Sequence, residues 1–398
     1  MTALRALVGI LAAALTLRTS ILVVGPVIED IRADTGMSSA AAGLLGTIPF
    51  LCMGVFAFAG VPLVRRLGHH RVVALGLFLL GLGGLVRAAM PTGALLIVAT
   101  VPLGMGIALA GLALPGVVNE HFPQRAGAIT GAYVAALSVG GAAAALATVP
   151  LADSFGSWRW AFAVITVPTL AALPLWLMTP HGERHAASPR AARGRPGLRP
   201  PRLGLVLAGV FGFQSMCFAA MVSWVAAVYL EAGWSDQAAA ATTATIPLVT
   251  IPAALVIPAL SDGRDRRWWL FGSGIVMTVG MMGLAFAPLA APWLWLVAFS
   301  VGAGALFPLS LTLPIDLRDD AVGVTQLTAW MLGLGYFLSA LGPVIVGALR
   351  DLTGGFTVAI AVVGALGALS GLLGLAPDLR HTRRTPRHAE GVPEAPIA

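Results

Sequence analysis

Long apolar runs separated by short polar turns recur twelve times along this 398-residue chain. They fall at roughly 6–28, 41–64, 72–90, 94–118, 125–150, 160–178, 203–230, 237–260, 268–288, 292–315, 321–349 and 354–376. Each is close to or above the ~20 helical residues that cross a hydrocarbon core. The runs are continuous rather than alternating, which excludes a barrel of ~10-residue strands. The pattern therefore predicts an all-α membrane protein of twelve transmembrane helices. The first run lies where a secretory signal would. It is too long for one, carries Arg18 inside its apolar stretch, and is followed by eleven further runs.

The polar stretches divide these helices into two sets of six. His181 to Arg202 is rich in Pro, Ala and Arg and reads as a flexible linker. The expected organisation is a six-helix bundle over 1–178, a cytoplasmic linker over 179–202, a second six-helix bundle over 203–378 and a basic cytoplasmic tail over 379–398. The halves repeat. A shift of 196 positions carries Pro62 onto Pro258, Arg71 onto Arg267, Gly76 onto Gly272 and Gly127 onto Gly323. A shift of 198 carries Thr47-Ile48-Pro49 onto Thr245-Ile246-Pro247. Two pseudo-symmetric parallel bundles of six helices form the major facilitator architecture, with a substrate site near the midplane between them.

Composition agrees. The chain is 58% hydrophobic and 10% charged, against about 25% charged for a soluble domain. The net charge of +7 would suggest nucleic acid in a soluble protein, but here its placement has another meaning. All 24 Lys-or-Arg positions are Arg. With the amino terminus inside, Arg5, Arg65, Arg66, Arg71, Arg125, the linker arginines, Arg264, Arg266, Arg267, Arg318 and the tail arginines all fall on the cytoplasmic side. Arg32, Arg87, Arg159 and Arg350 lie at or near the opposite face. This asymmetry is the positive-inside rule, and it predicts a multi-pass protein of the cell (inner) membrane with both termini cytoplasmic. The expected partners are the lipid bilayer and a small-molecule substrate, with no nucleic acid. Cys52 and Cys217 sit within apolar runs, outside any metal or redox spacing, and read as small core residues.

Arg18 carries the candidate chemistry. No acidic residue shares its apolar stretch. A guanidinium at mid-membrane costs about 2.5–3.5 kcal/mol on insertion scales, so a chain that keeps one is using it. Its planar fork of donors suits a carboxylate, a nitro group or a small linear anion; bonding to helix carbonyls is the structural alternative. The 196-residue shift carries Arg18 onto Gln214 and Thr19 onto Ser215, which places Gln214 and Ser215 opposite Arg18 across a central cavity. Both can orient a ligand, or bond between helices. Tyr133, Gln326, Trp330 and Tyr336 are further candidates to line that cavity, or to pack. Arg87, near the outer end of the third run, is expected either to reach the interface or to pair with Glu29 or Asp30 as an outer gate. The Gly-rich runs are helix-packing surfaces, and no Walker motif is present. No Asp or Glu lies well inside any run, which argues against a cationic substrate. No metal, cofactor or paired acid/base constellation is expected, and the chain does not read as an enzyme.

These residues resemble the cyanate and 2-nitroimidazole transporter family within the major facilitator superfamily. Thr16-Leu17-Arg18 with Val24-Gly25-Pro26 resembles the family's first-span pattern, Asn-Leu-Arg then Gly-Pro. Leu85-Val86-Arg87-Ala88, Phe122-Pro123 with Gly131-Ala132-Tyr133, Gln214-Ser215 with Trp224, and Gly335-Tyr336 with Leu341-Gly342-Pro343 extend it over nearly the whole chain. Thr16 departs from the family's Asn. The superfamily's loop 2–3 signature, Gly-x-x-x-Asp-Arg-x-Gly-Arg, reads here as Val61 through Arg65, Arg66 and Gly68 to His69, without its Gly and Asp. Arg65, Arg66 and, in loop 8–9, Asp262 are the corresponding gating candidates. The resemblance implies a monomeric secondary transporter of a small anion, or of a weakly acidic or nitro-bearing compound, working by alternating access. The alternative is a multidrug or metabolite efflux pump of the same fold with a neutral substrate.

Overall fold

The computed structural model describes residues 2–179, 201–261, 264–318 and 320–376. The expected tail, most of the linker, and Asp262 lie outside the described residues. Among the described residues, twelve helices are long and apolar enough to cross a membrane. We number them span 1 (Ala3–Thr35), span 2 (Ser39–Leu67), span 3 (His69–Ala89), span 4 (Gly93–His121), span 5 (Pro123–Phe155) and span 6 (Trp158–Leu177). The second half holds span 7 (Arg202–Glu231), span 8 (Asp236–Ser261), span 9 (Arg266–Phe286), span 10 (Pro292–Leu317), span 11 (Gly323–Thr353) and span 12 (Phe356–Gly374). The twelve runs read from the sequence correspond one to one with these spans, although span 1 continues past its apolar run as far as Thr35.

Local chemistry sets the ends. Side chains of Ser38, Thr92, Ser157, Asp265 and Asp320 accept backbone N–H bonds at the starts of spans 2, 4, 6, 9 and 11. Spans 5 and 11 both stop at a glycine in the left-handed region, Gly156 at φ 68° and Gly354 at φ 74°. Those two glycines are separated by the same 198 positions as the Thr-Ile-Pro repeat.

The helix pairings repeat as well. In the first half span 1 packs on spans 5 and 6, span 2 on span 4, and span 3 on spans 4 and 6. In the second half span 7 packs on spans 11 and 12, span 8 on span 10, and span 9 on spans 10 and 12. Across the halves, span 2 meets span 11 and span 5 meets span 8, which is the exchange that a two-fold relation requires. Small residues allow these approaches. A Cβ on Gly140 of span 5 would strike the Leu15 carbonyl of span 1, and one on Gly25 of span 1 would strike the Val222 carbonyl of span 7.

The halves do not meet evenly. The first helix of span 1, Thr2–Leu17, packs chiefly within its own half, on spans 5, 6 and 4. The later part of span 1, from Thr19 to Thr35, packs on spans 5 and 6 of its own half and also reaches spans 7 and 8 of the other. Two backbone amides at the start of span 2, Ser39 and Ala40, donate to the Asp351 carboxylate at 2.9 and 2.8 Å. Arg350 beside it bonds Glu29 at 2.6 Å. The molecule is thus closed at the end carrying Glu29 and Arg350.

Candidate functional site

Span 1 is not one helix. Regular α-structure ends at Leu17, and Arg18 has φ −98° and ψ −12°. A single turn follows over Thr19–Leu22, then a 3-10 turn over Gly25–Val27, and regular helix resumes at Ile28. Pro26 lacks an N–H, and the preceding Val24 N–H reaches back three residues, to Ile21 at 3.4 Å. A discontinuous helix near the midplane is where transporters of this design present their ligand groups.

Arg18 stands at the first break. Its Cβ lies against Gly141 of span 5. Its guanidinium carbon lies 5.4 Å from the ring centre of Phe218, on span 7 of the other half. Tyr336 of span 11 is within electrostatic reach of Arg18, and Tyr133 of span 5 is within reach of Tyr336. All three are only partly buried. The Arg18 side chain makes no hydrogen bond or ion pair among the described residues. The site therefore gathers a free guanidinium, two phenols and one phenyl ring from spans 1, 5, 7 and 11. It can take a planar anion along the guanidinium fork.

The other expected residues are placed as follows. Thr19 is buried and donates to the Thr16 carbonyl at 2.8 Å, which satisfies it within span 1. Gln214 is also buried; its amide nitrogen donates to the Ala303 carbonyl of span 10 at 3.2 Å, and its oxygen accepts from Ser215 at 3.0 Å. The structure does not bond Gln214 to Arg18. The side chain facing Arg18 is Phe218, one helical turn further along span 7. Its i, i+4 spacing from Gln214 was the available signal for it. Gln326 is half-buried, and Trp330 meets Phe58 of span 2 edge-on at 5.4 Å, across the halves.

The outer gate expected between Arg87 and Glu29 or Asp30 is not formed. Arg87 is 2% exposed, so it neither reaches the interface nor meets an acid. It donates to the Ser20 carbonyl at 3.1 Å and lies 4.5 Å over the Phe162 ring. Packing of span 3 against spans 4 and 6 turns it inward. Glu29 pairs instead with Arg32 at 2.7 Å and Arg350 at 2.6 Å, and Asp30 is exposed. Arg350 also approaches Glu231 at 3.5 Å. Arg65 and Arg66 are exposed at the end of span 2. Near them, His69 and Glu120 lie 2.6 Å apart and tie span 3 to span 4.

The Major Facilitator Superfamily profile matches residues 8–339. The chain belongs to that superfamily. Its curated relatives include the cyanate transport protein CynX of Escherichia coli, 31% identical over 88% of this chain and 93% of the relative. The 2-nitroimidazole transporter of the same organism is 31% identical over 92% and 93%. An uncharacterised transporter of Bacillus subtilis is 30% identical over 91% and 92%. Among solved structures, a bacterial homologue of the human lysosomal transporter Spinster superposes with a TM-score of 0.78 at 17% identity, covering 97% of this chain and 99% of its own. The D-xylose–proton symporter superposes with a TM-score of 0.73 at 19% identity, covering 96% and 99%. This major facilitator protein is a multi-pass membrane transporter, and its family and relatives are transporters rather than enzymes.

Proposed function

We propose that this transporter carries a small anion, or a weakly acidic or nitro-bearing organic compound, across the cell (inner) membrane by alternating access. Arg18 is the main substrate contact. The observation that carries the reading is its guanidinium, held at a helix break between the halves without an acidic or hydrogen-bonding partner among the described residues. Tyr133, Tyr336 and Phe218 form the wall around it, with Gln326 and Trp330 further along span 11. Thr19 and Ser215 support that wall through bonds within their own helices, and Gln214 through a bond to Ala303 of span 10. The names of the two Escherichia coli relatives, a cyanate and a nitroimidazole transporter, fit a pocket built on one fixed cation. Both termini lie in the cytoplasm, residues 179–202 are the cytoplasmic linker between the halves, and the protein works as a monomer. The Arg350–Glu29 end is then the outer face.

Thermal stabilisation of the purified protein tests the substrate class. At a ligand concentration a hundredfold above its Kd, binding stabilises the folded state by about 2.7 kcal/mol, which moves an unfolding midpoint by several degrees. Cyanate, nitrite, small carboxylates and 2-nitroimidazole should stabilise the wild type, with Arg18→Ala unresponsive. Stabilisation by neutral or cationic drugs alone would replace this reading with drug efflux.

A further inference from the structure

Arg87 has a bond that none of its expected roles explains. A continuous helix would take the Val24 N–H to the Ser20 carbonyl; here that N–H turns to Ile21 at 3.4 Å. The Ser20 carbonyl is taken up by the Arg87 guanidinium, at 3.1 Å. Ser20 is two residues beyond Arg18, inside the short turn between the two breaks of span 1. Arg87 makes no other hydrogen bond: its Nε and Nη1 are buried without a partner among the described residues. A buried, incompletely bonded cation is a poor stabiliser, since an apolar side chain of similar volume avoids its desolvation. Its one specific contact beyond the Phe162 ring is with the interrupted backbone next to Arg18.

We propose that Arg87 is a positioning residue that fixes the break in span 1 and through it the placement of Arg18. This inference rests on the reading of Arg18 as the anion contact. Span 3 supplies a rigid anchor, because Arg87 lies under Phe162 of span 6 and cannot swing to the interface. Its donor replaces the missing amide, so the turn at Thr19–Leu22 keeps one geometry rather than several. Arg18 is then held between Gly141 of its own half and Phe218 of the other instead of sampling rotations of a frayed helix.

The experiment uses full-length protein in nanodiscs, in wild-type, Arg87→Met, Arg87→Lys and Arg18→Ala forms. Hydrogen–deuterium exchange reports the backbone, and calorimetry with potassium cyanate as the probe reports affinity. Loss of a charge-assisted bond should speed exchange of the amides over 18–27 by about tenfold or more in Arg87→Met. Exchange elsewhere should stay within about twofold, and Arg87→Lys, which keeps one donor, should recover most of the protection. Cyanate affinity should fall about tenfold in Arg87→Met and recover in step with the exchange. Unchanged exchange over 18–27 overturns the proposal whatever the ligand. A rise spread over every span also overturns it, since it marks a residue that only holds the bundle together. If Arg87→Met does not fold, Arg87→Gln, which keeps a neutral donor, takes its place, with partial loosening expected and wild-type exchange refuting. Equal cyanate affinity in the wild type and Arg18→Ala would sink the Arg18 reading while the exchange data still decide on Arg87.

Discussion

Replacing Arg350 by alanine should loosen the closed end of the molecule. Arg350 belongs to the second half and Glu29 to the first, so their 2.6 Å contact exists only while the halves meet there. Their side chains are 16% and 30% exposed. The pair therefore lies between exposed pairs, at ~0.2–1 kcal/mol, and broken buried pairs, at ~3–5 kcal/mol. Glu29 keeps Arg32 as a second partner at 2.7 Å, so it is not stranded, and the lower part of that interval applies. About 1–2 kcal/mol then leaves the closed arrangement, a shift of about 5–30-fold in the ratio of closed to open molecules. Separation is not complete, because the Asp351 carboxylate still holds the Ser39 and Ala40 amides. Spin labels at Ala33 and Leu352, both exposed and on opposite halves, report the gap by double electron–electron resonance once Cys52 and Cys217 are replaced. Arg350→Ala should add a longer-distance population. Arg159→Ala, which removes a contact to Asp34 inside the first half, should not. An unchanged distance distribution in Arg350→Ala, or an equal shift in the Arg159 control, would refute the assignment of this pair to the closed state.

Other outcomes follow from the same geometry. Gly25→Ala places a Cβ against the Val222 carbonyl; the closed population should drop and transport slow by at least about tenfold, with normal membrane expression, since such overpacking costs about 1–3 kcal/mol. Distance measurements and uptake on the same variant check this. Gln214→Leu removes bonds inside the second half, to Ala303 and Ser215; the unfolding midpoint should fall by the equivalent of about 1–2 kcal/mol, while cyanate affinity stays within about threefold.

The spans were legible because each is a long apolar run, and burial in lipid is a local compositional requirement. The repeat was legible through Pro, Gly and Arg at a constant spacing, and helix pairing follows it span by span. Arg18 stood out as a charge without a partner, and the structure gives it none among the described residues. What surrounds it was less legible. Gln214 was read as its partner by symmetry, yet symmetry relates backbones and not rotamers. The Gln214 amide satisfies a carbonyl of span 10, and Phe218 takes the place facing Arg18. The bond from Arg87 to Ser20 depends on a break in span 1, and no residue pattern in span 3 reports where another helix unwinds. The clamp from Arg350 to Glu29 joins residues 321 positions apart, and only the docking of the halves brings them together. Arg87 and Glu29 carry opposite charges near the same end of the sequence pattern, but their helices turn them to different neighbours.

If Arg18 holds the anion, uptake into proteoliposomes depends on its guanidinium. Radiolabelled cyanate is offered to wild-type, Arg18→Ala and Arg18→Lys protein at matched reconstitution and with the fold verified. Uptake should be saturable in the wild type and at background in Arg18→Ala. Arg18→Lys should give intermediate uptake with a raised KM, since lysine keeps the charge but not the fork of donors. Wild-type rates and KM in Arg18→Ala would contradict it.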